Sequence, residues 1–253
     1  MDLGLDKRVY IVTGGSRGLG FAAAQCLVAD GAQVVISARD PDRLDDAVQR
    51  LGGPRRAAGL AVDLGDPAAA TRLVDRAVDA FGGLDGALVS VGGPMRGSTI
   101  QISDDQWRAA FDTVFLGTVR LARTVAERLP AGGAIAFVLA SSARTPLPGV
   151  GLSNGLRPGL AAVAKEMADE YGPRGIRVVS LLPYRIETER NRELWAATGD
   201  LEAARRQTEA SIPLGRVGQP DEFGRVAAFL LSPAAGYLTG LSVPIDGGAL
   251  RTP

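Results

Sequence analysis

The chain contains no histidine and a single cysteine among its 253 residues. Without an imidazole, no catalytic triad built on histidine can form, and the commonest metal ligand is missing. We therefore predict no metal site, and any proton transfer must fall to tyrosine, lysine, aspartate, glutamate or water. The lone Cys26 excludes an intramolecular disulfide framework, and its place in an apolar helical run predicts a buried structural thiol.

An excess of charge and long apolar runs are also missing. Basic and acidic residues are balanced at 28 each, so nothing electrostatic indicates a nucleic acid or an anionic membrane as partner. No apolar run approaches the ~18 residues that a membrane-spanning helix needs. The beginning of the chain lacks a basic segment followed by the apolar core of a signal peptide. These absences predict a cytoplasmic protein without nucleic-acid or membrane partners.

Short apolar runs alternate with helix-length segments along nearly the whole chain. The runs are rich in Val, Ile, Leu and Ala and apolar on both faces, which is typical of strands in a covered parallel sheet. Predicted strands are 8–13, 33–37, 57–62, 86–91, 134–139, 177–182 and 242–245. Predicted helices are 18–30, 41–51, 67–81, 103–129, 165–171 and 221–231. This alternation predicts right-handed βαβ crossovers and one doubly wound α/β domain over residues 1–253.

Residues 186–218 interrupt this alternation. The segment is polar and charged, has two helical patterns at 190–197 and 200–211, and contains no strand. An inserted segment of this size between a strand and the last helix is typical of a mobile cover over a site. The alternative is a surface hairpin without a role in the site. We predict a helical substrate cover at about 186–218.

A glycine-rich turn follows the first predicted strand and precedes the first helix. Glycines there allow a tight turn, close approach of the backbone to a pyrophosphate and close packing of helix on strand. The start of the helix offers free N–H groups to phosphates. The turn therefore predicts a dinucleotide site, with a purely structural turn as the alternative. Its candidate contacts are Gly14, Ser16, Arg17, Gly18, Leu19 and Gly20.

The residue after the second strand indicates which dinucleotide is preferred. An acidic residue there would bind a ribose 2′-hydroxyl and repel a 2′-phosphate. This chain has Ala38 followed by Arg39, and Arg17 lies in the glycine turn. Two guanidiniums would bind a 2′-phosphate through charge-assisted hydrogen bonds. NADP(H) is therefore the predicted cofactor and NAD(H) remains possible, unless both arginines are merely solvated.

Taken together, these residues resemble the short-chain dehydrogenase/reductase family over essentially the whole chain. The matching segments are residues 13–20, Asp63-Leu64, Gly92-Gly93-Pro94, Ser141-Ser142, Pro183 and residues 245–248. The resemblance implies a Rossmann-type parallel sheet of seven strands with helices on both faces, and a homodimer or homotetramer built on the long helices. It also implies that Asp63 and Leu64 contact the adenine, that Ile186 and Thr188 contact the nicotinamide carboxamide, and that Ser90 and Gly92 stand in the fourth-strand cofactor signature.

The family's chemistry depends on an Asn-Ser-Tyr-Lys tetrad, and here most of that tetrad has changed. The serine survives as Ser141, or as Ser142 if a one-residue gap falls differently, while Val114 stands at the Asn position. Ser153 replaces the tyrosine, and an aliphatic hydroxyl is far less acidic than a phenol of pKa ~10. Arg157 replaces the lysine; it can still hold a ribose but cannot release a proton.

Pro158 and Gly159 follow Arg157 and disfavour a helix. Either the helix of this region begins near Pro158, or it carries a kink there.

Tyr184 is the candidate for a relocated acid. Of the four tyrosines it alone follows a strand at the edge where the nicotinamide pocket is expected. Our hypothesis is that Tyr184, beside Arg157 or Arg185, donates the proton. The alternative is that Tyr184 only packs against the pocket.

Three functions compete at this point. The first is an NADP(H)-dependent oxidoreductase acting on a carbonyl or alcohol of a small molecule, in which Arg157 positions the ribose, Ser141 binds the substrate oxygen, and Tyr184 or water supplies the proton. The second is an NADP(H)-binding sensor or partner subunit without catalysis. The third is a redox-neutral elimination of the dehalogenase type. The cover residues Leu194, Trp195 and Ile212 suggest only an amphipathic substrate of modest size.

Overall fold

The computed structural model describes residues 2–251 and contains one parallel sheet. Its seven strands have the order β3-β2-β1-β4-β5-β6-β7. They are β1 Val9–Thr13, β2 Gln33–Ala38, β3 Ala57–Ala61, β4 Gly86–Ser90, β5 Ala134–Val138, β6 Arg177–Pro183 and β7 Ser242–Ile245. The doubly wound fold and all seven predicted strands are confirmed, each to within one residue at either end. The strand order reverses between β1 and β4, which opens a crevice at the carboxyl ends of these two strands.

Helices cover both faces of the sheet. They are α1 Gly18–Ala29, α2 Pro41–Arg50, α3 Ala69–Phe81, α4 Asp104–Ala110, α5 Gly117–Arg128, α6 Gly151–Tyr171, α7 Glu189–Ala196, α8 Leu201–Ala210 and α9 Pro220–Leu231. A π-helical segment, Phe111–Leu116, joins α4 to α5. One core lies between the sheet and α3, α5 and α6, and a second lies between the sheet and α1, α2 and α9.

Strand β1 shows why short runs that are apolar at every position predicted the sheet. Val9 and Ile11 point into the first core, while Tyr10 and Val12 point into the second. Because successive side chains of a strand point to opposite faces, a strand between two helical layers must be apolar at every position. Cys26, predicted to be buried, is only partly buried in α1, where it lies against Gly224 of α9.

Helix α6 begins at Gly151 and passes through Pro158, so of the two alternatives the one in which the helix begins near Pro158 is wrong. Proline has no N–H, and the carbonyl of Asn154 therefore lacks its helical donor. The side chain of Asn154 makes two other hydrogen bonds: it accepts from the Leu147 N–H at 3.0 Å and donates to the Leu147 carbonyl at 2.8 Å. These bonds tie the first turns of α6 to the preceding loop.

Two glycines of α6 have a packing role. A Cβ at Gly155 would lie 2.6 Å from the Trp107 ring, and one at Gly159 would lie 3.0 Å from the Phe115 ring. Both aromatic side chains belong to the α4 and π-helical region, so only glycine lets α6 approach it this closely.

Residues 186–218 form the two helices α7 and α8, as the composition predicted. Ile186 pairs with Gly218 at the base of the segment, and the Glu187 N–H donates to the Gly218 carbonyl at 2.8 Å. A small apolar cluster of Trp195, Ile212 and Val217 holds the segment together. Within residues 2–251, no helix has both the length and the apolar character needed to cross a membrane.

Candidate active site

The glycine turn after β1 has the backbone geometry of a phosphate cradle. Gly14 and Gly18 have φ values of +60° and +58°, a region that glycine adopts without strain. A Cβ at Gly20 would lie 2.4 Å from the Gly14 carbonyl oxygen, so the first turn of α1 can pack this closely only without a side chain. Thr13 Oγ1 donates to the Ser90 carbonyl at 3.0 Å and accepts from the Ser90 N–H at 2.8 Å, which ties the turn to the end of β4. These residues fit a pyrophosphate at the N-terminus of α1.

Other predicted cofactor residues lie at the same edge of the sheet. Asp63 is exposed after β3 and accepts from the Gly65 N–H at 2.8 Å, while Leu64 is buried. Thr188 lies against the glycine turn, since its methyl carbon is 3.7 Å from where a Cβ on Gly18 would stand. Ile186 is buried at the base of the cover, Gly92 is exposed, and Leu19 packs against the second core.

The structure does not join Arg17 and Arg39 by any contact. Arg17 Nη1 instead lies 2.7 Å from Glu189 Oε2, in the first turn of α7. Arg39 is exposed and makes no hydrogen bond or ion pair within the described part of the chain. Arg43, which sequence reasoning missed, lies 3.8 Å from the same Glu189 oxygen. Its place in the first turn of the helix after β2 could have identified it as a candidate contact of the cofactor.

Ser16 and Arg17 also line a cavity of about 390 Å³ between the glycine turn and α2. The other residues that line it are Asp42, Arg43, Asp46, Arg50 and Glu189.

Of the paired serines, Ser142 is the one that contacts Ser153. Their hydroxyl oxygens lie 2.9 Å apart, and either can be the donor. Ser141 is buried, and its hydroxyl has no hydrogen-bond partner among the described residues. Ser142, rather than Ser141, therefore faces Ser153.

Arg157 is buried and turned toward the carboxyl ends of two strands. Its Nη1 donates to the Val138 carbonyl at the end of β5, and its Nη2 donates to the Val91 carbonyl after β4 at 3.4 Å. Burial, and secondarily the charge of Arg190, lower the pKa of the Arg157 guanidinium to about 10, so it is charged near neutral pH. Its Nε–H is buried without a partner among the described residues. Arg157 thus links the ends of the two strands, and some of its N–H groups remain free to donate.

Val114 is buried in the π-helical segment. Its carbonyl accepts from Thr118 Oγ1 at 2.7 Å. The carbonyl of Val114 is therefore satisfied by a side chain one turn further along, in α5.

Tyr184 packs beside the apolar cluster under α7 and α8. The Arg185 guanidinium carbon lies 5.2 Å from the centre of its ring, over the face. The Tyr184 hydroxyl makes no hydrogen bond within residues 2–251. The structure thus places Arg185 against this phenol, while the hydrogen bonds of Arg157 go to strand carbonyls.

The first turn of α7 reaches both sides of the crevice. On one side Glu189 pairs with Arg17 of the glycine turn. On the other, Arg190 donates to the Gly93 carbonyl at 2.7 Å and to the Pro94 carbonyl at 3.1 Å, in the loop after β4. These are the two strands between which the crevice opens, so α7 lies where a cover would be needed. The role of Arg190 could not be predicted from the sequence, because its partners are backbone carbonyls distant along the chain.

Comparison with known proteins gives whole-length matches. The family model described as enoyl-(acyl carrier protein) reductase matches residues 14–249. The chain is 33% identical over 254 residues to dehydrogenase/reductase SDR family member 4 of Bos taurus, covering 97% of this chain and 88% of that protein. It is 32% identical over 249 residues to an uncharacterized oxidoreductase of Methylorubrum extorquens, covering 96% and 98%.

Solved structures give the same picture. The L-sorbose reductase of Gluconobacter frateurii, complexed with NADPH and L-sorbose, superposes with a TM-score of 0.93 at 28% identity over 100% of both chains. A short-chain dehydrogenase/reductase from Brucella melitensis superposes with a TM-score of 0.92 at 27% identity, again over 100% of both chains.

Proposed function

This chain belongs to the short-chain dehydrogenase/reductase family of oxidoreductases, and from that premise we propose that it is an NADP(H)-dependent enzyme acting on a carbonyl or alcohol group of a small molecule. The observation that carries the proposal is the glycine cradle at residues 14–20, whose two positive φ angles and closely packed Gly20 leave room for a pyrophosphate. The nicotinamide, when bound, supplies or accepts the hydride.

The preference for NADP(H) is supported by the arginines at the adenosine end of the crevice, whose guanidiniums could bind a 2′-phosphate. Arg17 and Arg43 approach one carboxylate there, and Arg39 is exposed nearby after β2. Ala38 provides no carboxylate that would repel a 2′-phosphate. The L-sorbose reductase structure, which contains NADPH, is a relative with the same fold.

The remaining cofactor contacts are proposed for residues that lie at the carboxyl edge of the sheet. Arg157 would hold the nicotinamide ribose with the N–H groups that its strand carbonyls leave free. The other proposed contacts are Asp63 and Leu64 for the adenine, Ile186 and Thr188 for the carboxamide, and Ser90 and Gly92 for the nicotinamide end.

The substrate oxygen would be held by the Ser142–Ser153 pair. Serine hydroxyls are too weakly acidic to donate a proton efficiently near neutral pH. Tyr184 or water would therefore supply the proton, and the free hydroxyl of Tyr184 is compatible with this role. We expect slow turnover of ordinary ketones and faster turnover of substrates that need little acid assistance.

A homodimer or homotetramer built on the long helices is also part of the proposal. Phe111 and Leu116 are 41% and 38% exposed, and the Phe111 ring stacks on Phe115 with a centroid distance of 5.0 Å. A cavity of about 440 Å³ lined partly by Trp107 and Leu156 adjoins this surface. Exposed large apolar side chains grouped in this way are typical of an interface between copies.

The test has two stages. Calorimetric titration with NADPH and NADH measures cofactor binding, and we expect NADPH to bind more tightly. Absorbance at the reduced-nicotinamide band, followed over a panel of carbonyls and alcohols, then measures turnover. Binding without turnover of any compound would favour the sensor or partner-subunit alternative, and absence of binding of either nucleotide would overturn the proposal.

A further inference from the structure

We propose that Glu189 is a built-in substitute for the 2′-phosphate of the cofactor: its carboxylate occupies Arg17 and Arg43 until NADP(H), but not NAD(H), displaces it. The inference rests on the proposed function and adds a residue that sets cofactor preference from the cover.

The argument begins with the contacts of one oxygen. Glu189 Oε2 lies 2.7 Å from Arg17 Nη1 and 3.8 Å from Arg43 Nη1. The hydrogen bond and charge of Arg17, with a smaller contribution from Arg43, hold the pKa of the Glu189 carboxyl below its ordinary value. The group is therefore an anion near neutral pH, placed between two cations from the turn after β1 and the helix after β2.

The position of this anion is where a 2′-phosphate is expected in the proposed complex. The phosphate must lie between the glycine turn and the segment after β2, because these two elements flank the adenosine ribose in a fold of this type. A cavity of about 390 Å³ opens there, lined by Ser16, Arg17 and Arg43 together with Glu189. A phosphoryl group accepts more hydrogen bonds than a carboxylate and carries more charge, so it can replace the carboxylate on both guanidiniums.

Two other acids of this region, Asp40 and Asp46, are already paired, whereas Asp42, which also lines the cavity, makes no ion pair within the described residues. Asp40 lies 3.3 Å from Arg43, and Asp46 lies 3.3 Å from Arg50. Arg17 has no acidic partner other than Glu189 within the described residues. Displacement of Glu189 would therefore leave the Arg17 guanidinium without a carboxylate partner among the described residues.

Replacement of the Glu189 carboxylate by a 2′-phosphate would cost little and would change a contact of the cover. The side chains of Arg17 and Glu189 are 55% and 54% exposed, and an ion pair at such exposure is weak. Glu189 is the first residue of α7. After its displacement, α7 would keep its contact with the loop after β4 through Arg190 but lose its ion pair with the glycine turn. The 2′-phosphate would thus loosen one side of the cover, and a cofactor without it would leave both contacts intact.

The experiment compares E189Q with the unaltered chain and with E193Q. Glu193 lies one turn further along α7 and makes no ion pair or side-chain hydrogen bond within residues 2–251, so E193Q removes the same charge from the same helix. Calorimetry measures the Kd of NADP⁺, of NAD⁺ and of adenosine 2′,5′-bisphosphate for each protein.

We expect E189Q to bind NADP⁺ and the bisphosphate about three- to tenfold more tightly, as removal of one exposed competing charge allows. NAD⁺ should change less than about twofold, and E193Q should match the unaltered chain for all three ligands. An E189Q protein that binds NADP⁺ and NAD⁺ with the same ratio as the unaltered chain would overturn this inference alone. If the unaltered chain binds neither nucleotide, the proposed function fails and this inference fails with it.

Discussion

The hydroxyl oxygens of Ser142 and Ser153 lie 2.9 Å apart and join the 3₁₀ turn after β5 to the first turn of α6. One hydroxyl proton is used within this pair, and each hydroxyl carries a single proton. The pair therefore retains one donor, which is enough to hold a carbonyl oxygen. It does not contain a group acidic enough to protonate that oxygen efficiently.

A phenol restored at position 153 should accelerate carbonyl reduction. The S153Y variant would place an acid of pKa ~10 next to Ser142, and general acid catalysis contributes about 10²- to 10⁴-fold. Because Arg157 is not a lysine, we expect the lower end, at least about tenfold in kcat with NADPH and a simple ketone. S153F, of the same size but without the hydroxyl, is the control. Equal rates for the two variants would show that the added hydroxyl does not reach the substrate.

The Tyr184 phenol is expected to be needed for whatever turnover the unaltered chain has. Y184F should lower kcat about tenfold or more, because the substitution removes the hydroxyl that would donate the proton. Stability should change little, since the Tyr184 hydroxyl makes no hydrogen bond within the described residues. Y171F, in a tyrosine that likewise lies beside an arginine but at the far end of α6, is the matched control. Unchanged kcat in Y184F would leave Tyr184 as a packing residue and water as the proton source.

The sequence revealed the strands, the glycine turn and the cover helices because each depends on local pattern or on burial of both faces. It could not reveal that α6 passes through Pro158, since this depends on the fit of Gly155 and Gly159 against the rings of Trp107 and Phe115. Such contacts join residues distant along the chain.

In the candidate site, too, contacts between residues distant along the chain could not be predicted from the sequence. Which serine faces Ser153 depends on the path of the loop before α6, which no periodicity describes. The approach of Arg17 and Arg43 to Glu189 joins three elements that are far apart in the sequence. Sequence reasoning therefore gave the positive charge but not the carboxylate that neutralises it.

The role of the glycine cradle in cofactor binding can be tested by adding a Cβ at Gly20. G20A would place a Cβ 2.4 Å from the Gly14 carbonyl oxygen, so α1 must move away from the turn. We expect the affinity for NADPH to fall by at least about tenfold, with a loss of stability of about 1–3 kcal/mol. G172A is the control, because a Cβ at Gly172 would meet nothing within 4 Å. Fluorescence titration gives the affinity and urea unfolding gives the stability; unchanged NADPH affinity in G20A would contradict the assigned cradle.

Arg157 should contribute strongly to stability. In R157M the carbonyls of Val138 and Val91 lose a buried donor. Leaving buried acceptors unsatisfied costs about 1–3 kcal/mol each, so we expect a loss of about 2–4 kcal/mol in urea unfolding. R123M, on an exposed arginine of α5, should stay within about 0.5 kcal/mol of the unaltered chain. A stable R157M that binds NADPH weakly would instead assign Arg157 to the cofactor alone.

The ion pair that closes the cover segment predicts a pH dependence of stability. Glu222 at the start of α9 accepts from Arg216 at 2.8 and 2.6 Å and from the Gln219 N–H at 2.7 Å, and these bonds lower the pKa of its carboxyl to about 2. A carboxyl whose pKa is lowered by folding contributes stability above its unfolded-state pKa, and the contribution is lost as the pH falls through its folded-state pKa. Because the pair is largely exposed, we expect E222Q to lower stability near neutral pH by only about 1 kcal/mol.

The difference between E222Q and the unaltered chain should shrink as the pH falls from about 5 toward about 2, where the carboxylate of the unaltered chain takes up its proton. Thermal unfolding at a series of pH values measures this difference in Tm. E193Q, which removes a carboxylate without an ion pair, should follow the unaltered chain throughout. A constant offset of E222Q at every pH would show that the glutamine shape, rather than the charge at position 222, changes the start of α9.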